Sequence, residues 1–272
     1  MQYRLRKARG ALAGFVDVLW SYEGPPQSHH KERLLPDGSM ELVVNLADDE
    51  VRVYDRRDHA RFERLSGGVL IGPHSDFFVI DTAEQQRVAG VHFHPGGAYP
   101  FLPLPAGELH GLHVSLADVW GPLAAELRER LISAPSMEAR FDALESVLLR
   151  RLAQSTAGHP AVDFALRELH VSPCRKIAAV RDQTGVSERR FIELFRRQVG
   201  LAPKLYSRVR RFQAALRRIP TGTGVDWADV ALASGYVDQA HLIHEFRSIS
   251  GLSPGEYVGL RTEHLNHVPI RQ

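Results

Sequence analysis

Two stretches of the chain, residues 187–199 and 238–250, carry side chains of the kind that read the edges of base pairs. Taken as helices at about 100° per residue, the first puts Phe191, Leu194, Phe195 and Val199 on one side. Arg189, Glu193, Arg196 and Arg197 lie on the other. In the second stretch Leu242, Phe246 and Ile249 share the apolar side. Ala240, His244, Arg247 and Ser248 lie opposite, with Gln239 and His241 near the N-terminus. Arginine matches guanine O6 and N7, glutamine matches adenine, and alanine meets the thymine methyl. For one such helix alone, an ion pair between Arg189 and Glu193 on a solvated face is the better account. A matched pair of helices shifts that balance.

The other chemistry-bearing residues lie mostly in the first half. His92 and His94 are two apart, so on a strand both imidazoles share a face and suit one metal ion. Such a site also needs a carboxylate a few residues on and a further histidine on another strand; residues 95–99 (PGGAY) supply no carboxylate. Metal ligands, cofactors and catalytic residues are therefore not assigned. Trp20, Tyr22, Glu41, Asn45 and Tyr54 line a pocket for a small organic ligand, or are ordinary core. His29 and His30, after Pro25-Pro26, are expected in an exposed loop. Cys174 is the only cysteine, which excludes an intrachain disulfide and a cysteine-cluster zinc site. Beside Arg175 it is a reactive or, more simply, an inert thiol.

The two base-reading stretches belong to an echo. GVSERRFIELFRRQVGLAPKLY (Gly185–Tyr206) is followed by GYVDQAHLIHEFRSISGLSPGEY (Gly235–Tyr257). Phe195 matches Phe246, Gly200 Gly251, Pro203 Pro254 and Tyr206 Tyr257, each pair 51 positions apart. Ser172, with Pro173 behind it, is expected to cap a helix over 175–183 that stops at Thr184-Gly185. Ser187 caps the next helix and Gly200 ends it. Asp226, Gly235, Asp238 and Gly251 repeat the design, giving two helix-turn-helix units. An amphipathic helix over 203–218 joins them rigidly, with a loop at 220–224.

Upstream the pattern is different. A turn at Pro36-Asp37-Gly38 precedes a strand at 41–46, and short apolar runs follow at 51–54, 68–71, 77–81 and 88–93. Residues 15–22 read as a short helix or a strand entry. Such runs between breaks indicate a small antiparallel barrel or sandwich up to about residue 112. From Leu116 the spacing becomes 3 and 4, through Leu131 and again from Phe141 to Leu152, which predicts two helices broken near Pro135. These helices either form a dimer face or cover the barrel. Residues 155–160 read as a linker. The expected class is α+β in two domains, 1–157 a β domain with a helical extension and 158–272 all-α.

The 272 residues carry a formal charge of only +2, with 44% hydrophobic and 24% charged residues. The charge is unevenly placed. Residues 1–157 hold 17 Lys and Arg against 21 Asp and Glu, a net of −4, and residues 158–272 hold 17 against 11, a net of +6. Within 175–218 there are 13 basic and 3 acidic residues, a net of +10, which suits a polyanion. No apolar run reaches the roughly 18 residues of a membrane span. The basic start is interrupted by Asp17 and lacks a small-residue cleavage site, unlike a signal peptide. The expectation is a cytoplasmic chain without membrane contact.

The repeated units with their arginine-rich connector resemble the DNA-binding domain of the AraC/XylS family of bacterial transcriptional regulators, and GYVDQAHLIHEFRSISGLSPGEY is close to that family's signature. The resemblance implies seven helices, with two recognition helices in successive major grooves of double-stranded DNA, held about one turn apart by the connector. Carried over by position, base contacts fall to Arg189, Arg190 and Glu193, and to Gln239, Ala240, His241 and His244. Arg196 and Arg247, on the same outward faces, complete the predicted DNA-binding set. One departure concerns Arg181, where the family has a small residue; Ala231 keeps it in the second unit. The front half resembles the cupin-like sensor domain of a subset of these regulators through LLPDGSMELVVNL, VLIGP and VAGVHFHPGGAYPF, within residues 1–112. This implies effector sensing or homodimerisation, and the family implies RNA polymerase as a partner.

The sequence therefore predicts a non-enzymatic DNA-binding regulator; the competing reading is a metal-dependent cupin enzyme with a DNA-binding tail. The denser charge of the first unit predicts that it supplies phosphate affinity, while Gln239, His241 and His244 discriminate sequence. Arginine-to-alanine variants in each unit test this by salt titration of DNA binding. The slope is expected to fall more for the first unit; equal changes refute the division.

Overall fold

The computed structural model describes residues 2–25, 29–155, 157–220 and 224–270; parts of the expected linker (156) and loop (221–223) lie outside them. In chain order the elements are β1 (Gln2–Lys7), β2 (Val16–Glu23), β3 (Lys31–Leu34), β4 (Glu41–Asn45), β5 (Val51–Tyr54), β6 (Phe62–Leu65), β7 (Gly68–Ile71), β8 (Phe78–Asp81), β9 (Arg87–Phe93) and β10 (His113–Ser115). Helices follow: α1 (Leu116–Trp120), α2 (Pro122–Ser133), α3 (Met137–Leu152), α4 (Pro160–Val171), α5 (Ile177–Asp182), α6 (Glu188–Val199), α7 (Pro203–Arg218), α8 (Trp227–Ala233), α9 (Gln239–Ser250) and α10 (Pro254–Leu260). A last strand, β11 (His267–Pro269), comes after them. From α4 to α10 there are seven helices among the described residues, the number the resemblance implied.

The strands form an antiparallel six-stranded sheet, β1-β2-β9-β4-β7-β10, and a three-stranded sheet, β11-β3-β8, with β5 and β6 as a separate hairpin. Val43, Val69 and Ile71 of the large sheet pack against Phe78 of the small one, with Leu34 and Ile80 beside them. The result is a barrel-like wrap without ladder hydrogen bonds joining its two sheets among the described residues. The other face of the large sheet is covered by helices. Leu42, Val44, Ala89 and Val91 meet Leu127, Leu131, Phe141, Leu144, Val147 and Leu148 in one buried cluster. Leu144 and Leu148 of α3 thus cover the sheet, while Leu149 stays exposed. The single helix expected over 116–131 is interrupted at Gly121, where Pro122 starts a new one.

Several strands carry little periodic signal. β1 is an edge strand with most of its residues exposed, so it shows no apolar alternation. Residues 16–23 form a strand, not a helix, because β2 is hydrogen-bonded on both sides, by β1 and β9. At 172–175 the expected helix start is a turn: the Ser172 amide donates to the Glu168 carbonyl, ending α4, and Ser172 O accepts from the Arg175 amide. α5 begins only at Ile177. His29 is not a free loop residue, since its Nε2 lies 2.5 Å from Glu32 Oε1.

The helical region does not stand apart from the sheets. β11 pairs with β3, with Val268 opposite Arg33. Leu35, Tyr54, Phe77 and Val79 share one buried cluster with Phe212, Leu216, Leu242, Phe246, Ile249, Tyr257 and Val268. The Phe77 amide donates to Ile249 O at 2.8 Å, and Gln213 Nε2 reaches Pro36 O at 2.8 Å. Gly38 has φ +87 and faces the Tyr206 ring so closely that a Cβ there would stand 2.9 Å from it, so only glycine serves both the turn and the contact. Truncating Phe77 to alanine is expected to cost about 3–5 kcal/mol and to speed hydrogen exchange in α9 as well as β8. Exchange confined to the sheet would show that the two regions unfold independently.

Candidate nucleic-acid interface

Both predicted recognition helices form, and each ends at a glycine. α6 follows Ser187, which holds the N-cap position without a side-chain cap bond, and ends at Gly200 in the left-handed region at φ +88. A Cβ on Gly200 would meet Pro73 Cγ at 2.4 Å. α9 is capped by Asp238, whose Oδ1 accepts from the His241 amide at 2.7 Å, and ends at Gly251. Phe191, Phe195 and Val199 bury the inner face of α6, and Leu242, Phe246 and Ile249 that of α9.

Their outer faces remain open. Arg189, Arg190, Glu193 and Arg196 are exposed on α6, as are Gln239, Ala240, His244 and Arg247 on α9. The ion pair that forms is Arg190 with Glu193, at 3.0 Å, so the Arg189–Glu193 pair of the alternative reading is not the one adopted and Arg189 is left outward. His241 is only partly exposed. Its ring meets Tyr236 edge-on at 5.3 Å, and its Nδ1 accepts from the Val237 amide at 3.4 Å. Those contacts orient the imidazole from behind and leave Nε2 for an outside partner.

Much of the dense positive charge is spent inside the protein. Arg175 pairs with Glu168, and Arg208 with Glu245 at 2.7 Å. Arg210 is buried, with its guanidinium on His170 Nδ1 at 3.2 Å. Arg211 lies over the Tyr236 ring at 5.6 Å. The connector α7 therefore offers chiefly Lys204, Arg217 and Arg218 to solvent, and sequence charge alone overstates what it presents to phosphates. Arg181, the departure from the small-residue pattern, turns outward and pairs with Asp182 at 2.6 Å and with Glu188, at the start of α6, at 3.1 Å. Ala231 is fully buried at the matching position.

The rear of this region rests on the sheets. α6 packs on the helical turn Ala106–Leu109, and Arg197 Nε donates to the Tyr99 hydroxyl at 3.0 Å. His159 N donates to Gln198 Oε1 at 2.8 Å, and Gln198 Nε2 to Asp163 Oδ1 at 2.7 Å, fastening α4 to α6. Beneath α7, His92 Nε2 lies 3.0 Å from Asp37 Oδ2 and 3.1 Å from Ser39 Oγ, with Glu41 Oε1 4.0 Å from its Nδ1. Arg210 caps that turn through the Asp37 carbonyl.

The imidazole of His92 is thereby committed to the turn. Phe93 ends β9 and His94 lies beyond it, its amide on Phe15 O at 2.9 Å. Among the described residues no three His, Cys, Asp or Glu side chains are grouped to hold a metal. Of the suggested pocket residues, Asn45 fixes a turn by accepting from the Ala47 and Asp48 amides, and the Tyr54 hydroxyl donates to Asp81 at 2.6 Å. Trp20 lies over Gly90 inside the wrap. The contacts through Tyr99, Gln198 and Gln213 were not legible in the sequence, because each joins residues far apart and carries no periodic signal.

A helix-turn-helix pair with open second helices and a rigid connector defines a DNA-binding domain. The helix-turn-helix domain family matches residues 181–259, so the chain carries a helix-turn-helix domain there. Residues 6–115 match a domain of unknown function (DUF6597). No curated protein matches the chain. Among solved structures it is similar to an apo variant of ToxT from Vibrio cholerae strain SCE256, at 11% identity and TM-score 0.46, over 93% of this chain and 99% of that one. It is also similar to ToxT from Vibrio cholerae O395 bound to (E)-4-(8-methylnaphthalen-1-yl)but-3-enoic acid, at 9% identity and TM-score 0.48, over 89% and 97%. Likeness at this level assigns neither ligand nor target. No described helix is long and apolar enough to cross a membrane.

Burial disfavours a charged His92, but Asp37 in front of it, helped by Glu41 and Asp17, outweighs this and pushes His92 up to about 9. Its partner Asp37 is held below the usual carboxylate range, against its own burial, by His92 and Ser39. A histidine raised from 6.5 to about 9 contributes stability that is full below pH 6.5 and is lost as pH rises through 9. The stability difference between wild type and His92→Gln is therefore expected to shrink across that window in urea melts. A difference independent of pH between 6 and 9.5 would remove the ion pair from the account.

Proposed function

We propose that this chain is a sequence-specific regulator of transcription in which residues 158–272 read double-stranded DNA and residues 1–157 control how they are presented. The observation that supports it best is the pair of open outer faces on α6 and α9, joined by a connector buried along its length. In helix-turn-helix proteins the N-terminal part of the second helix enters the major groove. Arg189, Arg190, Glu193 and Arg196 would serve one groove segment, and Gln239, Ala240, His241, His244 and Arg247 the next. Exposed Lys204, Arg217 and Arg218 are suited to phosphates, which position the protein without reading sequence.

The N-terminal half touches α6 through Tyr99 and residues 106–109. A small effector or a second copy that reshapes that half would shift the first recognition helix relative to the second, and DNA spanning both would feel the change. Such control acts in the cytoplasm through RNA polymerase, helped or blocked at the promoter. No catalytic role is assigned to any residue.

Genomic footprinting supplies the operator, after which Arg189→Ala is measured on operator and on random duplex. Loss of one bidentate base contact is worth about 1–3 kcal/mol, so operator affinity is expected to fall about five- to 150-fold while random-duplex affinity changes by less than about threefold. An equal fall on both DNAs would show that Arg189 meets only phosphate.

A further inference from the structure

The two recognition helices have unlike leading ends. At the offset of 51 that relates the units, Val186 matches Val237 and Arg189 matches Ala240. In the first unit Val186 packs against the core around Phe191 and Phe195, and the exposed groups after it are charged, Arg189 and Arg190 among them. In the second unit Val237 is 76% exposed, and Ala240, three residues on, is exposed too. No lysine or arginine occurs from Gly235 to Phe246, so the front of α9 has no such cation to place on a phosphate. Val237 precedes the helix, and the periodicity that picked out the outer face of α9 does not reach it.

The valine is held in place from behind. Gly235, at φ +81, turns the chain against Cys174, whose sulfur leaves no room for a Cβ there. Tyr236 follows and is buried, 3% exposed. The Val237 amide donates to His241 Nδ1, and Asp238 caps α9 through the His241 amide. With Tyr236 taking the inward direction, Val237 is left on the open side at the N-terminal end of α9, the end that helix-turn-helix proteins carry into the major groove. A valine neither donates nor accepts a hydrogen bond, and it gains nothing from phosphate. The apolar feature that the major groove offers is the thymine 5-methyl group. We propose that Val237 is a specificity-determining residue, which selects a thymine in the half-site under α9 by covering its 5-methyl group. This role rests on the DNA-binding reading. It gives the second unit a means of discrimination that the first, with its valine packed inward and arginines outward, does not share.

The operator defined by footprinting is synthesised with uracil in place of each thymine of that half-site in turn, an exchange that removes only the methyl. Affinities of the full chain, of Val237→Ala and of Val237→Ile are measured on each duplex and on random duplex. At one position uracil is expected to weaken wild type about fourfold, the worth of one buried methyl, to weaken Val237→Ile similarly and to leave Val237→Ala unaffected. Val237→Ala should itself lose about fourfold on the thymine operator, with random-duplex affinity and thermal midpoint unchanged. If uracil weakens wild type and Val237→Ala alike at every thymine, or weakens neither, the methyl contact is refuted while operator preference stands. A lowered midpoint in Val237→Ala would show the side chain packed within the protein, which also overturns its role. A wild type that binds operator no better than random duplex would overturn the contact and the DNA-binding reading together.

Discussion

The arrangement depends on one packing constraint: the hydrophobic side of α7 has no solvent-facing alternative. Phe212, Ala215 and Leu216 are fully buried and Ile219 nearly so, and they are covered partly by α8, α9 and α10 and partly by Val79 of β8 and by Leu35 and Phe77 beside the small sheet. A connector whose apolar side is buried along its length cannot swing as a free rod. It holds the two helix-turn-helix units at a set separation and ties them to the small sheet. Apolar contact of this extent is non-directional but short-ranged, so it tolerates small shifts and forbids large ones.

Polar groups then decide the register of that packing. Gln213 bonds to Pro36 O and to Asn266 Oδ1, Arg210 to Asp37 O and His170, and Tyr257 to Leu265 O. Each is a buried or half-buried group that loses more if unpaired than it gains when paired. The seam therefore behaves as keyed rather than merely sticky. The recognition faces, by contrast, are held from behind and largely open, their internal partners being the Arg190–Glu193 pair, the rear contacts of His241, the Tyr99 hydroxyl on Arg197 and Arg208 on Ser248. A rigid rear and an open front are what a reading surface requires.

The helical region was legible in the sequence because its signals are local. Gly200, Gly251, Asp226 and Asp238 end or cap helices through contacts within a few residues, and Phe195 and Phe246 mark the same inner position in two copies. In the front half, β4, β7 and β9 show as apolar runs because both their faces are largely covered, and β5 shows as a short one though it is only half-buried. β1 and β6 are largely exposed and β3, though central in its sheet, is only half-buried; all three are rich in charge, so no alternation marks them. The candidate faces on α6 and α9 followed from periodicity, but the fate of Arg208, Arg210 and Arg211 did not: Glu245, His170 and Tyr236 meet them only after the chain folds. Ser172 illustrates the remaining error. It satisfies the sequence rule for starting one helix, yet the α4 carbonyl of Glu168 claims its amide first.

β11 gives this architecture a history in time as well as a shape. Its strand completes the sheet begun by β3, through the Leu35 amide on Asn266 O and the Ile270 amide on Lys31 O, both at 2.9 Å. At typical rates of synthesis the wait between the two segments is roughly ten to fifty seconds. Throughout that interval β3 presents an unpaired edge, the kind of edge that recruits neighbouring chains. Its charged sequence, Lys31-Glu32-Arg33, is poorly suited to pairing with a copy of itself, so the same residues that hide this strand from sequence inspection guard the nascent chain until its own last strand arrives.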